Sequence, residues 1–278
     1  MNYKLEFVKI GPTHEVAGVG FAGNIFIIMS ALSHLKNVDD RMYVDMETNE
    51  CVCTEHDIVL HDTMNSWEYY FDQIKLTEGD PITHMDIFQG KGDLTYNNRD
   101  VYLNPNSFID LRKKFYDNFQ IKDYINIIVD EFYDSNIKGK NTLGIQVRLT
   151  DYTHGGHNFP PIEKYIARIK QILEESPEIE QIFVATDDGK VIPVLEETFD
   201  IPIIYWGDMF RADDENLHLD PHDRLHDDRE LHRYNLGVEC MKEIFTLTKC
   251  DHLLMAWTSS ISIVASILSE NIKNVYKI

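Results

Sequence analysis

The chain has 278 residues, 43% of them hydrophobic, and a net charge of −21. This hydrophobic content is enough for a large folded core and excludes an intrinsically disordered chain. The negative charge argues against nucleic acids and anionic membrane surfaces as partners. No apolar run approaches the roughly 18 residues of a membrane span. The four cysteines are too few for a disulfide framework, so we expect a cytoplasmic protein.

The N-terminal half begins with a predicted strand, Lys4 to Ile10, then a glycine-rich segment, and then the apolar run of a helix. A glycine-rich turn between a strand and a helix brings backbone N–H groups close to a phosphate. Gly20, Gly23 and Asn24 are the candidates for such a contact. The alternative is that these glycines only let the helix pack closely against a sheet, and the sequence favours neither interpretation.

The rest of this half contains short predicted strands at 41–46, 57–60 and 100–103, and predicted helices at 107–119 and 121–132. An aromatic segment, 65–71, indicates core packing in the first place, with a sugar-stacking surface as the alternative. The short polar segment from Lys138 to Asn141 is the predicted lobe boundary. It separates an N-terminal lobe of residues 1–138 from a C-terminal lobe of residues 139–278.

The C-terminal lobe alternates strands with helices, which predicts a parallel, doubly wound sheet. The predicted strands are 142–149, 181–186, 201–206, 252–256 and 274–278, and the predicted helices are 161–175, 190–199, 237–248 and 259–268. The apolar run of the first strand ends abruptly in Arg148, Thr150 and Asp151. Buried parallel strands end in this way when they deliver polar groups to a crevice at the edge of the sheet.

Charged side chains follow two of these strands. A guanidinium group holds a phosphate with two hydrogen bonds, so Arg148 is the candidate anion clamp, unless it pairs with a carboxylate such as Asp151. Asp187 and Asp188 follow the next strand. Paired carboxylates can bind the hydroxyls of a ribose or the donors of a base, and an aspartate can also cap the next helix. Both roles are open to different members of the pair.

Hydroxyl groups open the last predicted helix, at Thr258, Ser259 and Ser260. Hydroxyls and unpaired N–H groups at the N-terminus of a helix bind phosphate, although simple capping explains the same residues. The sequence alone does not separate these two interpretations.

The segment 208–232 is acidic and rich in histidine. His218, His222 and His226 recur every four residues, which is a spacing typical of metal ligands on a helix. Pro221 interrupts the run and disfavours a regular helix, so a solvated loop is the preferred interpretation and zinc the alternative. We therefore predict no metal site.

Three ordered blocks resemble the α1,6-fucosyltransferases, a family that includes the core α1,6-fucosyltransferase of N-glycans and the bacterial nodulation-factor enzymes. The family pattern G-x-H-x-R-R-T-D-K, followed by P-I-E-x-Y, is similar to residues 144–152 and 161–165. The family pattern L-A-T-D-D is similar to residues 184–188. The pair L-S-x-x-D and F-S-S is similar to residues 247–251 and 258–260, and the segment 20–24 is like the family's glycine loop.

This resemblance implies an α/β fold of the GT-B glycosyltransferase type, with two Rossmann-like lobes and a parallel sheet in the C-terminal lobe. It implies transfer of fucose from GDP-fucose, the donor substrate, to a glycan hydroxyl, with inversion and without a metal or another cofactor. Carried over by position, the donor-binding residues are Gly20, Gly23, Asn24, Arg148, Tyr165, Asp187, Asp188, Glu243, Thr258, Ser259 and Ser260. Arg148 and Ser259 would contact phosphate, and Glu243 falls where the family has an aspartate that reads guanine.

The chain departs from the family pattern at Gln146, Leu149, Tyr152 and Gly156. Gly156 stands where the core enzyme has the glutamate proposed as general base. We predict that His157, or failing that His154, takes the acceptor's proton, with Asp151 as the orienting carboxylate. The alternatives are that solvent or phosphate takes the proton, that another nucleotide sugar is the donor, or that the chain binds nucleotides or glycans without catalysis.

Overall fold

The computed structural model describes residues 2–6, 20–37, 39–47, 53–55, 58–76, 81–86, 105–149, 160–211, 229–256 and 259–278. The chain divides into two compact units, the first of Met1–Asn126 with Pro221–Val238 and the second of Ile127–Asp220 with Glu239–Ile278. The predicted strand 100–103 lies outside the described residues. None of the helices that the structure describes is long and apolar enough to cross a membrane.

The strands and helices follow one another along the chain from the N-terminus. They are β1 Asn2–Glu6, α1 Phe21–Ser33, β2 Arg41–Asp45, a 3₁₀ turn Ser66–Tyr69, β3 Phe71–Gln73, β4 Ile82–Asp86, α2 Pro105–Asn118, β5 Phe119–Ile121, α3 Asp123–Asn136, β6 Thr142–Val147, α4 Ile162–Glu175, β7 Gln181–Thr186, α5 Val191–Thr198, β8 Ile203–Ile204, α6 His232–Leu247, β9 His252–Met255, α7 Ser260–Leu268 and β10 Asn274–Lys277.

The first unit contains a three-stranded sheet in the order β2-β1-β4. Both pairings are parallel. Helix α1 lacks a polar face, because every residue from Phe21 to Leu32 is buried. A helix that is apolar all round is a core element rather than a surface one. The apolar run after the glycine-rich segment therefore forms the buried helix that the sequence predicts.

The aromatic segment 65–71 is part of the core of the first unit. Trp67, Tyr70 and Phe71 are fully buried. The Trp67 ring stacks on Phe71 with 4.2 Å between centroids, and Phe21 of α1 lies 4.4 Å from Tyr70. Core packing, the preferred interpretation of this segment, is confirmed.

The second unit is built on a five-stranded sheet in the order β10-β9-β6-β7-β8. All of its strand pairs are parallel, as the sequence predicts. Every residue of β6 and β7 is buried, which is the burial pattern of a parallel sheet covered on both faces. From β6 the chain proceeds to β7 and β8 on one side and then to β9 and β10 on the other, so the strand order reverses between β6 and β9.

Some predicted elements are wrong in detail. Residues 57–60 do not form a strand in the part that the structure describes, where Leu60 makes an isolated bridge to Thr63. The predicted strand 201–206 is reduced to Ile203–Ile204. Strands β3, β4 and β5 were not predicted, and β5 takes the last residue of one predicted helix and the first residue of the next.

The helix predicted at 237–248 begins earlier, at His232. Gly237 resembles a helix boundary in the sequence, but it lies inside α6 for a packing reason. A Cβ at this position would lie 2.1 Å from the hydroxyl oxygen of Tyr70. The glycine therefore permits close approach of an aromatic ring and does not end a helix.

Candidate active site

Three strand ends meet at one edge of the parallel sheet in the second unit. Strands β6, β7 and β9 are neighbours. Arg148 follows β6, Asp187 and Asp188 follow β7, and the segment after β9 leads to Ser259 at the start of α7. In open α/β sheets, ligands bind outside the carboxyl ends of the strands at the point where the strand order reverses. That point lies here between β6 and β9, so these predicted site residues share one edge.

Arg148 lies against Asp187. Its Nε atom is 3.8 Å from Oδ2 of Asp187, and the two side chains are 19% and 13% exposed. The backbone N–H of Leu149 donates to Oδ1 of the same carboxylate at 3.3 Å. The carboxylate partner of Arg148 among the described residues is therefore Asp187, and Asp151 lies outside them. A guanidinium group has five N–H donors, so contact with one carboxylate is compatible with binding of an anionic ligand.

Asp188 has a local structural role. Its Oδ1 accepts a hydrogen bond from the backbone N–H of Lys190 at 2.8 Å, just before α5. Its own N–H donates to the hydroxyl of Thr186 at 3.2 Å. Such side-chain to backbone bonds fix the turn that leads into a helix. The two aspartates thus differ, because Asp188 orders the turn and Asp187 faces the arginine.

Ser259 presents a buried hydroxyl at the start of α7. The residue is 1% exposed, and its Oγ has no hydrogen-bond partner within the described part of the chain. Its side chain does not cap α7. A buried polar group without a partner is unfavourable by about 1–3 kcal/mol, and a helix N-terminus attracts anions. A phosphate oxygen at this position would accept a hydrogen bond from the Ser259 hydroxyl and would also be attracted by the N-terminus of α7.

Ser260 and Ser262 continue this hydroxyl-rich start of α7, and both are buried. The Ser262 hydroxyl donates to Oε1 of Gln146 at 3.5 Å. Gln146 lies on β6, two residues before Arg148, and replaces the histidine of the family pattern. The polar pair therefore connects β6 to α7 directly beneath the sheet edge.

Tyr165 on α4 is fully buried. Burial and then the negative charge of Asp187 raise the pKa of Tyr165 above its ordinary value of 10, and contact with the Arg148 backbone opposes the shift. The phenol is therefore protonated at neutral pH. Its hydroxyl makes no hydrogen bond of normal geometry to any of the residues that the structure describes, so it is a buried donor next to Arg148.

Glu243 is a buried carboxyl group on α6. Its Oε1 accepts the backbone N–H of Thr186 at 2.8 Å, which places it directly behind the end of β7. Burial raises the pKa of Glu243 from 4.5 to about 8. The charges of Asp187 and Glu239 add to this effect, while Arg211 and the Thr186 N–H oppose it. At neutral pH the side chain is mostly a neutral acid.

Arg211 is a cation of this site that the sequence analysis missed. Its Nε donates to the carbonyl of Thr186 at 3.2 Å, and its Nη2 donates to the carbonyl of Trp206 at 2.8 Å. Its guanidinium carbon lies 5.6 Å from the centre of the Tyr205 ring. Arg211 lies in the segment after β8, where the acidic composition of the following loop obscured it. The signal that could have found it is an arginine that follows soon after β8, ahead of the acidic residues of the loop.

The candidates in the N-terminal glycine segment lie in the first unit. Gly20 is the N-cap residue of α1, and no side chain caps this end of the helix. Gly23 and Asn24 lie in the first turn of α1. The Asn24 side chain is fully buried, and neither its oxygen nor its nitrogen has a partner among the residues described. An unsatisfied amide at an uncapped helix start fits the predicted ligand contact, but the glycines serve the packing of α1 equally well.

Four predicted site residues lie outside the described residues, namely Asp151, His154, His157 and Thr258. The general base therefore stays a prediction. Over the described ranges, no cluster of three or more histidine, cysteine, aspartate or glutamate side chains is arranged to hold a metal ion. His218, His222 and His226 are also outside those ranges.

No protein-family model matches the sequence, and no curated protein matches it either. The structure is similar to that of the NodZ α1,6-fucosyltransferase soaked with GDP-fucose, with a TM-score of 0.57 and 12% identity, over 96% of this chain and 92% of that chain. NodZ co-crystallised with GDP gives a TM-score of 0.56 at 12% identity, with coverages of 96% and 92%. Selenomethionine-labelled NodZ from Bradyrhizobium gives 0.57 at 12% identity, with the same coverages.

At 12% identity, this similarity establishes the fold alone. The chain has an α/β fold of the GT-B glycosyltransferase type, with a parallel five-stranded sheet in its C-terminal part. The predicted fold class is therefore confirmed, and the resemblance to the α1,6-fucosyltransferases that the sequence blocks indicate holds at the level of the fold.

Proposed function

We propose that this protein is a glycosyltransferase that moves fucose from GDP-fucose to a hydroxyl group of a glycan. The observation that carries the proposal is the ion pair of Arg148 with Asp187 at one sheet edge, next to strand β9, after which the chain leads to the unsatisfied hydroxyl of Ser259. A cation and a helix N-terminus at the strand-order reversal suit a diphosphate. The fold is shared with an enzyme whose crystals were soaked with GDP-fucose, which supports this donor for the present chain.

In the proposed reaction, the acceptor oxygen attacks the anomeric carbon of fucose from the face opposite the leaving group. A new carbon–oxygen bond forms as the bond from the anomeric carbon to the β-phosphate oxygen breaks, so the configuration inverts. The electron pair of the broken bond stays on the diphosphate, where Arg148 and the start of α7 stabilise it. Donors aimed at developing charge in this way typically contribute about 3 kcal/mol each.

The acceptor's proton goes to His157 or, failing that, to His154 in this scheme, with Asp151 orienting the imidazole. Imidazole titrates near neutral pH and is the most common general base. A diphosphate leaving group also permits transfer of the proton to phosphate or solvent. Because Arg148 and the helix N-terminus already neutralise the diphosphate, the proposed reaction needs no metal ion.

We assign the nucleotide-sugar site to the C-terminal lobe, residues 139–278, and the acceptor side to residues 1–138. The C-terminal assignment is supported by the reversal of strand order in the parallel sheet. The cytoplasm as the working compartment is supported by the small number of cysteines, four in 278 residues.

The proposal is tested by following release of GDP and transfer of labelled fucose from GDP-fucose to a mixture of glycan acceptors. We expect turnover by the wild-type protein and a loss of roughly a hundredfold or more in Arg148→Ala. Arg168→Ala is the matched control, because Arg168 also forms a loose ion pair, 3.9 Å from Glu175, at 25% exposure.

Binding of GDP-fucose without any turnover would show that the protein binds a nucleotide sugar but does not catalyse transfer. Turnover with a different nucleotide sugar, and none with GDP-fucose, would show that the protein is a transferase with another donor. If no nucleotide sugar binds, the proposal is wrong.

A further inference from the structure

Three residues of the first unit other than glycine have a strained, left-handed backbone conformation. The non-glycine residues with positive φ within the described structure are His61 at 52°, Asp62 at 63° and Leu231 at 50°. Residues other than glycine adopt this left-handed backbone conformation only rarely, and such strain is concentrated at binding and catalytic sites. His61 and Asp62 form a turn, and Leu231 directly precedes α6.

The turn holds His61 in a defined place. Leu60 and Thr63 form two backbone hydrogen bonds across it, of 3.0 and 3.1 Å. Left-handed conformations at both central residues correspond to a type I′ turn, which ordinarily contains asparagine and glycine. Histidine and aspartate adopt positive φ more often than most residues other than glycine. Both residues are exposed, so the turn presents their side chains at the surface.

The imidazole ring of His61 is held by two tyrosines, although the residue is exposed. It stacks on the Tyr124 ring with 5.3 Å between centroids and 14° between planes. Its Nε2 atom lies 3.2 Å from the hydroxyl of Tyr234. The Tyr234 ring lies 5.7 Å from the imidazole and is tilted by 47° to it. Because the residue is exposed, part of the imidazole remains accessible to solvent or to a ligand.

The two tyrosines are themselves fixed. The Tyr124 hydroxyl donates to the carbonyl of Tyr69 at 2.8 Å. The backbone N–H of Tyr234 donates to Glu55 at 2.9 Å, and its carbonyl accepts the hydroxyl of Tyr70 at 3.0 Å. An exposed ring with a rigid support loses little conformational freedom when a ligand stacks on it.

We propose that His61, Tyr124 and Tyr234 form a platform that binds a neutral pyranose ring of the acceptor glycan. Tyr234 lies beyond residue 138 in the sequence, but it is part of the same compact unit as the other two residues. The face of an aromatic ring is electron-rich and attracts the C–H face of a sugar, and the Tyr234 hydroxyl and Asp62 carboxylate can bond to sugar hydroxyls. The net charge of −21 disfavours glycans that carry acidic groups. This proposal rests on the glycan-directed function proposed above, and it names the residues that would hold the acceptor.

The platform is tested by saturation-transfer NMR with two neutral probes, maltotriose and triacetylchitotriose, and one acidic probe, sialyllactose. We expect at least one neutral probe to bind the wild-type protein with shifts in the His61 ring signals, and sialyllactose to bind more weakly. His61→Gly should weaken that binding at least tenfold without lowering Tm, because glycine adopts positive φ without strain. His34→Ala is the control, since His34 is another exposed histidine of the first unit.

Two results would overturn the platform. One is that neither neutral probe binds a wild-type protein that binds GDP-fucose, which leaves the proposed donor site intact. The other is that His61→Gly binds as tightly as the wild type, and a lower Tm together with that unchanged binding would identify a purely structural turn. Failure to bind GDP-fucose, with neutral sugars still bound through His61, would instead contradict the proposed transferase and leave the platform standing.

Discussion

Replacement of the buried acid Glu243 by glutamine should remove a large pH dependence of stability. The folded protein holds the Glu243 proton up to its pKa of about 8, whereas the unfolded chain releases it near its ordinary pKa of 4.5. The stabilisation from this proton is fully present below pH 4.5 and is lost as the pH rises through about 8. The free energy of unfolding of the wild type should therefore decrease as the pH rises across this interval. Glu243→Gln cannot ionise at this position, so this decrease should be absent from the variant.

The size of the effect follows from the two pKa values. Each pH unit between them corresponds to about 1.4 kcal/mol, so moving the pKa of Glu243 from 4.5 to about 8 is worth at most about 5 kcal/mol in the free energy of unfolding. Glutamine is always neutral and retains an oxygen that can accept a hydrogen bond from the Thr186 N–H, which donates to Oε1 of Glu243 at 2.8 Å in the wild type. Above pH 8, Glu243→Gln should thus be the more stable protein by several kcal/mol.

The assay is urea unfolding of both proteins at intervals from pH 5 to pH 9. Glu239→Gln is the matched control, because Glu239 is also buried one turn earlier on α6 and accepts the N–H of Phe210 at 3.1 Å. This control should keep most of the wild-type pH dependence. Parallel stability curves for the wild type and Glu243→Gln would refute the reasoning.

The same substitution tests the guanine contact. Ring and exocyclic N–H donors of guanine pair best with an ionised carboxylate. GDP should therefore bind the wild type more tightly as the pH passes through about 8, the pKa of Glu243. Glu243→Gln should lack this increase. An equal increase in the affinity for GDP in both proteins would show that Glu243 does not bind the guanine base.

Further predictions concern the clamp, the sheet, the metal and the base. Arg148→Ala should lower turnover at least about a hundredfold with little change in Tm, and a folded variant with near wild-type turnover would contradict this. Gly144→Ala should destabilise the protein by about 1–3 kcal/mol, because its Cβ would lie 2.9 Å from Leu247 Cδ2 and 3.0 Å from Cys250 Sγ. Gly207→Ala, whose Cβ would have no neighbour within 4 Å in the described structure, is the control, and equal urea midpoints would exclude the clash. EDTA should leave turnover unchanged, and restoration by one metal ion after a loss would show a required cation. His157→Ala should lose about a hundredfold in rate together with the acidic limb of the pH profile, whereas unchanged profiles in it and in His154→Ala would exclude both bases.

The fold of the C-terminal part was predictable because its strands carry strong local signals. The apolar runs of β6 and β7 are buried at every residue, and both were predicted close to their observed bounds. Helix α4 shows apolar residues every three or four positions, and Tyr165, Ile169 and Ile172 are the ones it buries. Alternation of such elements leaves few arrangements other than a parallel sheet.

The errors arose where tertiary contacts override local signals. Gly237 is inside α6 because the Tyr70 ring packs against it, and no pattern near position 237 reports a residue so distant in the chain. The turn at His61 lacks the glycine that usually marks a type I′ turn, so its residues resemble the end of a strand. In both cases the sequence near the position lacks the signal that would have corrected the prediction.

The candidate site was predictable in part. Arg148, Asp187 and Ser259 each follow a strand of the sheet, and the rule for strand ends is enough to predict that they share one edge. The partner of Arg148 was not predictable, since the ion pair with Asp187 depends on the register between β6 and β7. Arg211 was not predictable, because it reaches Thr186 from beyond the short strand β8.

Calorimetric titration with GDP-fucose measures whether the edge of the C-terminal sheet binds a nucleotide sugar through Arg148. We expect binding by the wild-type protein and by Arg168→Ala, and affinity at least about tenfold weaker in Arg148→Ala, because an ion-paired hydrogen bond to phosphate is lost. Equal affinity in all three proteins, or no binding by the wild type, would show that Arg148 does not hold a nucleotide sugar at this edge.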